Sequence, residues 1–159
     1  MKQLEIFDTT LRDGAQGENV SFSVAAKLNI LKALAATGIP YVEAGNPGSN
    51  PRDAGFFNSI RGKEFETNVV AFGSTRRRGI RPEEDGNCLA LLGAETETVA
   101  IFGKGWLLHV TDVLHTTPEE NLAMIRDTVA FFVKKGKRVF YDAEHFFDGY
   151  KEDPAYALE

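Results

Sequence analysis

The stretch "RVFYDAEHFFDGYKEDPAYALE", residues 138–159, decides how the rest of the chain is read. Its first part, 138–146, is short and apolar in the manner of a strand. Asp153 then stands at a cap position with Pro154 at the first turn, opening a helix that runs barely one turn to Glu159. A fifth strand is therefore followed by the start of a helix. The same pairing recurs upstream. Strands are expected over 4–8, 39–45, 68–73 and 98–103, and helices over 22–38, 50–62, 81–95 and 117–136. Leu28, Leu31, Leu34 and Ala35 form one stripe of the first helix. Asn50 and Pro51 open the second, and Thr117 with Glu120 has the spacing of a capping box. Gly38, Gly62, Gly93 and Gly136 fall near helix ends as candidate C-caps.

Strand–helix alternation predicts an α/β fold with a parallel sheet covered by helices. Two architectures meet that description. One is a five-stranded doubly wound sheet of the flavodoxin-like kind, complete at this length. The other is the first five βα units of a TIM-type (β/α) barrel, which needs about 250 residues. The unfinished last helix favours the barrel, so 1–159 is expected to be the N-terminal portion of a (β/α)8 catalytic domain. Strands 1 and 5 would then be open edges, a route to a homo-oligomer.

Composition narrows the class. The 159 residues are 43% hydrophobic and 26% charged, as in a globular domain. The net charge of -5 argues against nucleic acid or an anionic membrane as partner. The single cysteine, Cys88, excludes an internal disulfide framework and fits a reducing, cytoplasmic setting. No apolar run approaches the roughly 20 residues that span a bilayer.

In either architecture the working edge is the C-terminal end of the strands. Strand 1 delivers "DTTLRDGAQ", strand 2 "EAGNPGSN", strand 3 "GSTRRRG", strand 4 "GKGWLLHVTD" and strand 5 "DAEHFFDGY". Asp13 is a hard carboxylate suited to Mg²⁺, Mn²⁺ or Zn²⁺, or else a turn residue bonding nearby amides. Arg12 is an oxyanion donor or a solvated cation. Glu43, inside an apolar strand, requires a partner or a task. Asp142 and Glu144 alternate onto one face, where one can serve as acid or base. His109 and His115 are six apart, the wrong spacing for a pair on one helix face, although His109 sits near a strand end. Arg76–Arg78 is a solvated loop or an anion site. "EAGNPGSNP" is neither a P-loop nor G-x-G-x-x-G.

"FDTTLRDGAQ" resembles the N-terminal signature of the metal-dependent barrel synthases and lyases that include 2-isopropylmalate synthase, homocitrate synthase and 3-hydroxy-3-methylglutaryl-CoA lyase. The segments "EAGNPGSNPRD", "AFGSTRRRG", "TVAIFGKGW", "TTPEENLAMIRDTVAFF" and "YDAEHFFDGYKEDPAYAL" resemble the citramalate synthase branch more closely. The resemblance implies a Claisen condensation of acetyl-CoA with a 2-oxo acid, pyruvate in this branch, to a 2-hydroxy diacid. It implies a divalent metal (Mg, Mn or Zn) bound by Asp13, and Arg12 stabilising the enolate and developing alkoxide. It places Gln16 near the site to orient groups and Glu43 in support of the metal site. His109 and Glu144 fall where relatives place polar groups that contact substrate.

The family's later H-x-H pair and strands 6–8 have no counterpart in these 159 residues. This chain by itself is therefore expected to bind metal poorly and to turn over little substrate. A tight stoichiometric site in a Mn²⁺ or Zn²⁺ titration would contradict that. Within the fold the alternatives are a lyase or aldolase running the reverse cleavage, or a barrel fragment whose site residues are relics.

Overall fold

The computed structural model describes residues 4–159. Five strands, β1 (Phe7–Asp8), β2 (Tyr41–Gly45), β3 (Asn68–Ser74), β4 (Thr98–Lys104) and β5 (Arg138–Glu144), form one sheet in the order β1-β2-β3-β4-β5. Every neighbouring pair is parallel. Between and after them run α1 (Val24–Ala36), α2 (Pro51–Ile60), α3 (Gly86–Gly93), α4 (Pro118–Lys134), α5 (Phe146–Glu152) and α6 (Pro154–Leu158).

The strand order separates the two architectures. A doubly wound sheet reverses direction at a switch point, whereas here each crossover steps onward to the next strand. Period-two alternation then sorts the strand residues into two layers. Val42, Ala71, Val99 and Ile101 pack outward against Leu31, Phe56, Phe57, Leu91 and Phe132 of the helices. Tyr41, Val70, Phe72 and Ala100 point the other way and gather Phe7, Phe102 and Phe140. In a flat sheet β1 and β5 would lie about 19 Å apart. Instead the Phe7 and Phe140 rings meet at 5.1 Å, edge to face. Tyr41 meets Phe140 at the same distance, and Arg138 reaches Glu5. The sheet curls into five strands of a TIM-type half-barrel with an aromatic inner layer.

Several expected boundaries shift, each for a local reason. β1 keeps two residues of the expected 4–8. It pairs on one side only, and Leu4 and Ile6 are exposed. α1 begins at Val24, where Ser23 accepts the amide of Ala26, and ends before Thr37. α3 begins only at Gly86, because the fully buried Asp85 caps it by accepting the amides of Asn87 and Cys88. Gly93 lies inside α3, and Glu95 takes the left-handed position instead (φ 57). The expected capping box is half formed: Thr117 accepts the Glu120 amide, but the Glu120 carboxylate turns to Arg76. Asn50 and Asp153 cap α2 and α6 as expected. β5 stops at Glu144 rather than 146, since His145 adopts a left-handed conformation (φ 58).

Phe146–Glu152, between the end of the strand and the Asp153 cap, form a further helix, α5. Its packing depends on Gly149. A Cβ there would stand 2.2 Å from the Gly105 carbonyl oxygen and 3.0 Å from Trp106 Cα, both backbone. Gly149→Ala is expected to push α5 off the end of β4 and cost about 1–3 kcal/mol in urea unfolding.

Among the described residues no helix is long and apolar enough to cross a membrane. Cys88 is fully buried, and burial, with Asp85 beside it, pushes its thiol up to about 12. A thiolate-trapping reagent at pH 8 is expected to label Cys88 only after unfolding; fast labelling of the folded protein would contradict this.

Candidate active site

The loop after β1 is wound tightly. The Thr9 carbonyl accepts the amides of Arg12, Asp13 and Gly14 at 3.1, 2.9 and 3.2 Å. The Asp8 carboxylate holds the Thr10 amide and hydroxyl, and Leu11 is wholly buried beneath the turn. This turn sends the Arg12 side chain over the concave face of the sheet. There its Nε donates to Glu43 Oε2 at 2.5 Å and its Nη1 to Asp13 Oδ1 at 3.2 Å. Its Cζ lies 3.9 Å above the centre of the Phe72 ring, and Phe102 stacks on Phe72 at 5.0 Å. The guanidinium is thus held at its edge by carboxylates and on its face by an aromatic ring.

Glu43 is 2% exposed. Burial pushes its carboxyl above the ordinary range, and the Arg12 bond and charge oppose that without overcoming it. Asp142 and Asp13 add to the rise. The carboxylate expected to need a partner has one, and Arg12 is that partner.

Beside Arg12 opens a cavity of about 680 Å³. Arg12 and Gln16 line it from the β1 loop; Asn46, Ser49, Asn50 and Arg52 line it from the β2–α2 loop and the first turn of α2. Glu144 and His109 are not among its walls. Glu144 stands across the concave face at the tip of β5, opposite Lys104 in register and ion-paired with it. His109 lies in a single π-helical turn after β4, His109–Val113. Its ring packs against Trp106 at 4.9 Å and His145 at 4.5 Å, and its buried Nδ1 has no partner among the described residues. Arg12, Asp13, Gln16 and Glu43 therefore come together, while Glu144 and His109 form a second group on the β4–β5 side.

Within Arg76–Arg78 the solvated reading holds for the exposed Arg77 and Arg78 and fails for Arg76. Arg76 is 6% exposed and bridges Glu120 and Asp127 at 2.7 Å each. Arg77 pairs with Asp85, and Arg78 donates to the His115 carbonyl.

The donors for a divalent ion do not fit. Asp13 is exposed and shares one oxygen with Arg12. Among the described residues no three His, Cys, Asp or Glu side chains gather closely enough to hold a metal. Asp13 offers one carboxylate where Mg²⁺ takes six ligands in an octahedron.

Sequence reasoning missed three contributors. Phe72 as a platform for Arg12 is invisible in the chain, because 60 residues separate them. Lys104 lies two residues after Phe102 on the same strand, and that spacing alone placed it on the inner face. Lys27, four residues before Leu31, falls on the buried stripe of α1, and a charge on that stripe signals a buried partner.

The inward-facing Arg12–Glu43 pair thus stands at the C-terminal edge of a parallel TIM-type half-barrel. Residues 3–158 match the HMGL-like family, and the chain belongs to it. It is 51% identical over 156 residues to an (R)-citramalate synthase of Synechocystis sp., covering 98% of this chain and 28% of that protein. It is 50% identical over 159 residues to an (R)-citramalate synthase of Aquifex aeolicus, covering 99% of this chain and 30% of that protein. With a 2-isopropylmalate synthase of Pyrococcus furiosus the identity is 32% over 145 residues, 90% of this chain and 28% of the relative. The chain thus spans under a third of the length of these relatives. A Bacillus subtilis HMG-CoA lyase structure shares the fold at 19% identity with a TM-score of 0.66, covering 89% of this chain and 46% of that one.

Proposed function

We propose that the protein condenses acetyl-CoA with a 2-oxo acid, pyruvate being favoured, and that water then cleaves the thioester, giving a 2-hydroxy diacid such as citramalate and free CoA. This acyl transfer suits a cytoplasmic step of branched-chain amino-acid synthesis. The observation that carries the reading is the fixed Arg12 guanidinium beside a cavity, in a chain 46–51% identical to five (R)-citramalate synthases.

The geometry supports a division of labour. Arginine has five N–H donors. Arg12 spends Nε on Glu43 and one Nη1 proton on Asp13, and its Nη2 donates to no group among the described residues. Those remaining donors are available to an oxyanion, whether the enolate of the thioester or the alkoxide formed on the keto carbon. Because they are held in place beforehand, they stabilise charge as it develops. Glu43 is a positioning residue that aims the fork. Gln16, on the cavity wall, orients the ligand. Glu144 and Asp142 are the inner-face carboxylates of β5, and Glu144 is the candidate to accept the proton lost from the acetyl methyl group. His109 is the candidate contact on the β4 side. The divalent metal (Mg, Mn or Zn) implied by the family resemblance would take Asp13 as a ligand, and the described residues leave the rest of its ligand set incomplete.

The test is to incubate the full-length protein with acetyl-CoA and pyruvate and follow free CoA thiol together with the diacid. Release of both supports the synthase reading. Cleavage of a 3-hydroxyacyl-CoA with no condensation would replace it with the lyase reading. HMG-CoA lyase structures resemble this chain at 15–20% identity, which bears on fold alone.

A further inference from the structure

A buried ion pair lies in the wall of the cavity. Lys27 of α1 is 3% exposed and Asp53 of α2 is 9% exposed. Lys27 Nζ donates to Asp53 Oδ1 at 2.5 Å and to the Ala44 carbonyl at 2.9 Å. The other Asp53 oxygen accepts the Asn46 amide at 2.8 Å, and the Asp53 amide is itself capped by Asn50. Between Ala44 and Asn46 sits Gly45 at φ 146, where a Cβ would fall 2.6 Å from Asp53 Oδ2 and 2.9 Å from Lys27 Nζ. The β2–β3 register also shifts between Glu43 and Gly45. Two charges thus grip the backbone at the point where β2 ends and its loop begins.

Stability alone does not explain such a pair. Apolar side chains of similar volume at a buried pair are often neutral or stabilising, because they avoid desolvating two charges. On the stripe of α1 that carries Leu31 and Ala35, methionine would pack. What apolar side chains would not do is hold the Ala44 carbonyl and the Asn46 amide. From Asn46 onward the loop is self-supporting: the Asn46 side chain accepts the Gly48 amide at 3.0 Å, and its carbonyl accepts the Ser49 amide and hydroxyl. Asn46, Ser49 and Asn50 are also the cavity wall that faces Arg12 and Gln16. Two residues upstream of Gly45 lies Glu43, the anchor of Arg12.

We infer that Lys27 and Asp53 are positioning residues, whose pair sets the β2–α2 loop as the wall that receives the acyl thioester. The inference rests on the reading that the cavity takes acetyl-CoA. The pair lines the base of the cavity and spends its polar atoms on the loop backbone, at the Ala44 carbonyl and the Asn46 amide, so it sets the positions of Asn46, Ser49 and Asn50. Its loss releases the self-supporting loop as a unit from the end of β2, so the wall must be set in place again on binding, which weakens affinity by about tenfold or more.

The test compares the wild-type protein with the double variant Lys27→Met/Asp53→Leu and the single variant Asp53→Asn. Three quantities are read: cooperative urea unfolding, amide hydrogen exchange resolved by residue, and acetyl-CoA binding by calorimetry. The double variant is expected to unfold cooperatively near the wild-type midpoint. Its protection is expected to fall about tenfold at Asn46 and Gly48 while α4 and β4 stay protected, and acetyl-CoA binding is expected to weaken by tenfold or more. A merely structural pair would lower the midpoint and protection everywhere. Wild-type loop protection and affinity in the double variant would overturn the inference. If the double variant does not fold, Asp53→Asn answers by the same readouts, since it keeps the size of the side chain and loses one acceptor. If wild-type protein binds no acetyl-CoA while loop protection still falls in the variants, the acetyl-CoA reading fails and the loop assignment stands.

Discussion

Arg12→Ala is expected to lower kcat of the condensation by about 10²–10³-fold, the usual loss on removing a preorganised oxyanion donor. Arg12→Lys should recover little of it, because an ammonium cannot span Glu43, Asp13 and a ligand as the planar fork does. The same change strands Glu43, buried at 2% exposure, without its cation. Breaking a buried pair from one side costs about 3–5 kcal/mol. The sign of the pH dependence follows from the carboxyl. In the folded wild type it already binds its proton more tightly than in the unfolded chain, since burial outweighs the pull of Arg12. Its contribution therefore favours the fold fully below the ordinary carboxylate range and is lost as the pH rises through the raised value. Without Arg12 the carboxyl moves further up. Urea unfolding should show a large deficit above neutrality that shrinks as the pH is lowered and Glu43 takes up a proton. A deficit independent of pH would mean that the pair is not what Arg12 contributes.

Asp85→Ala is expected to have the largest effect on stability alone. The side chain has no exposed surface and accepts four donors: the amides of Asn87 and Cys88, and the amide and Nε of Arg77. Its removal uncaps α3 and leaves buried amides unpaired, at about 1–2 kcal/mol for the cap and as much again for the orphaned donors. Burial resists the charge, but the backbone amides and Arg77 outweigh it and hold the carboxyl below its ordinary range. The sign is therefore opposite to that of Glu43. This stability is present above the unfolded value and disappears as the pH falls through the folded one. Wild type and Asp85→Asn should converge in acid and diverge toward neutrality in thermal melts. Parallel melts across pH would contradict the assignment.

Asp85 also shows why a boundary was illegible. Over 81–95 the apolar residues begin only at Cys88, and "RPEEDG" offers several acids as the cap. Which of them folds inward depends on Arg77, eight residues earlier, lying across it. Arg76 makes the same point. Three consecutive arginines look solvated, and the acids that bury the first one, Glu120 and Asp127, come from a helix some forty to fifty residues away.

The sequence by itself determined the run of strands and helices, because periodicity and caps such as Asn50, Thr117 and Asp153 act within a few residues. It also determined that Arg12, Asp13 and Glu43 stand at the ends of strands, because position along a strand is local. It did not determine which strand lies beside which. A flat sheet and a curled one have the same alternation, and contacts across the inner layer, such as Phe7 and Tyr41 with Phe140, distinguish them. The tertiary structure likewise decided that Glu43 belongs to Arg12, that Phe72 lies beneath the guanidinium, and that Lys27 grips the β2 exit through Asp53. Each of these joins residues 26 to 60 positions apart. The direction in which a chain brings such partners together is set by packing of the whole barrel layer, which no local pattern records.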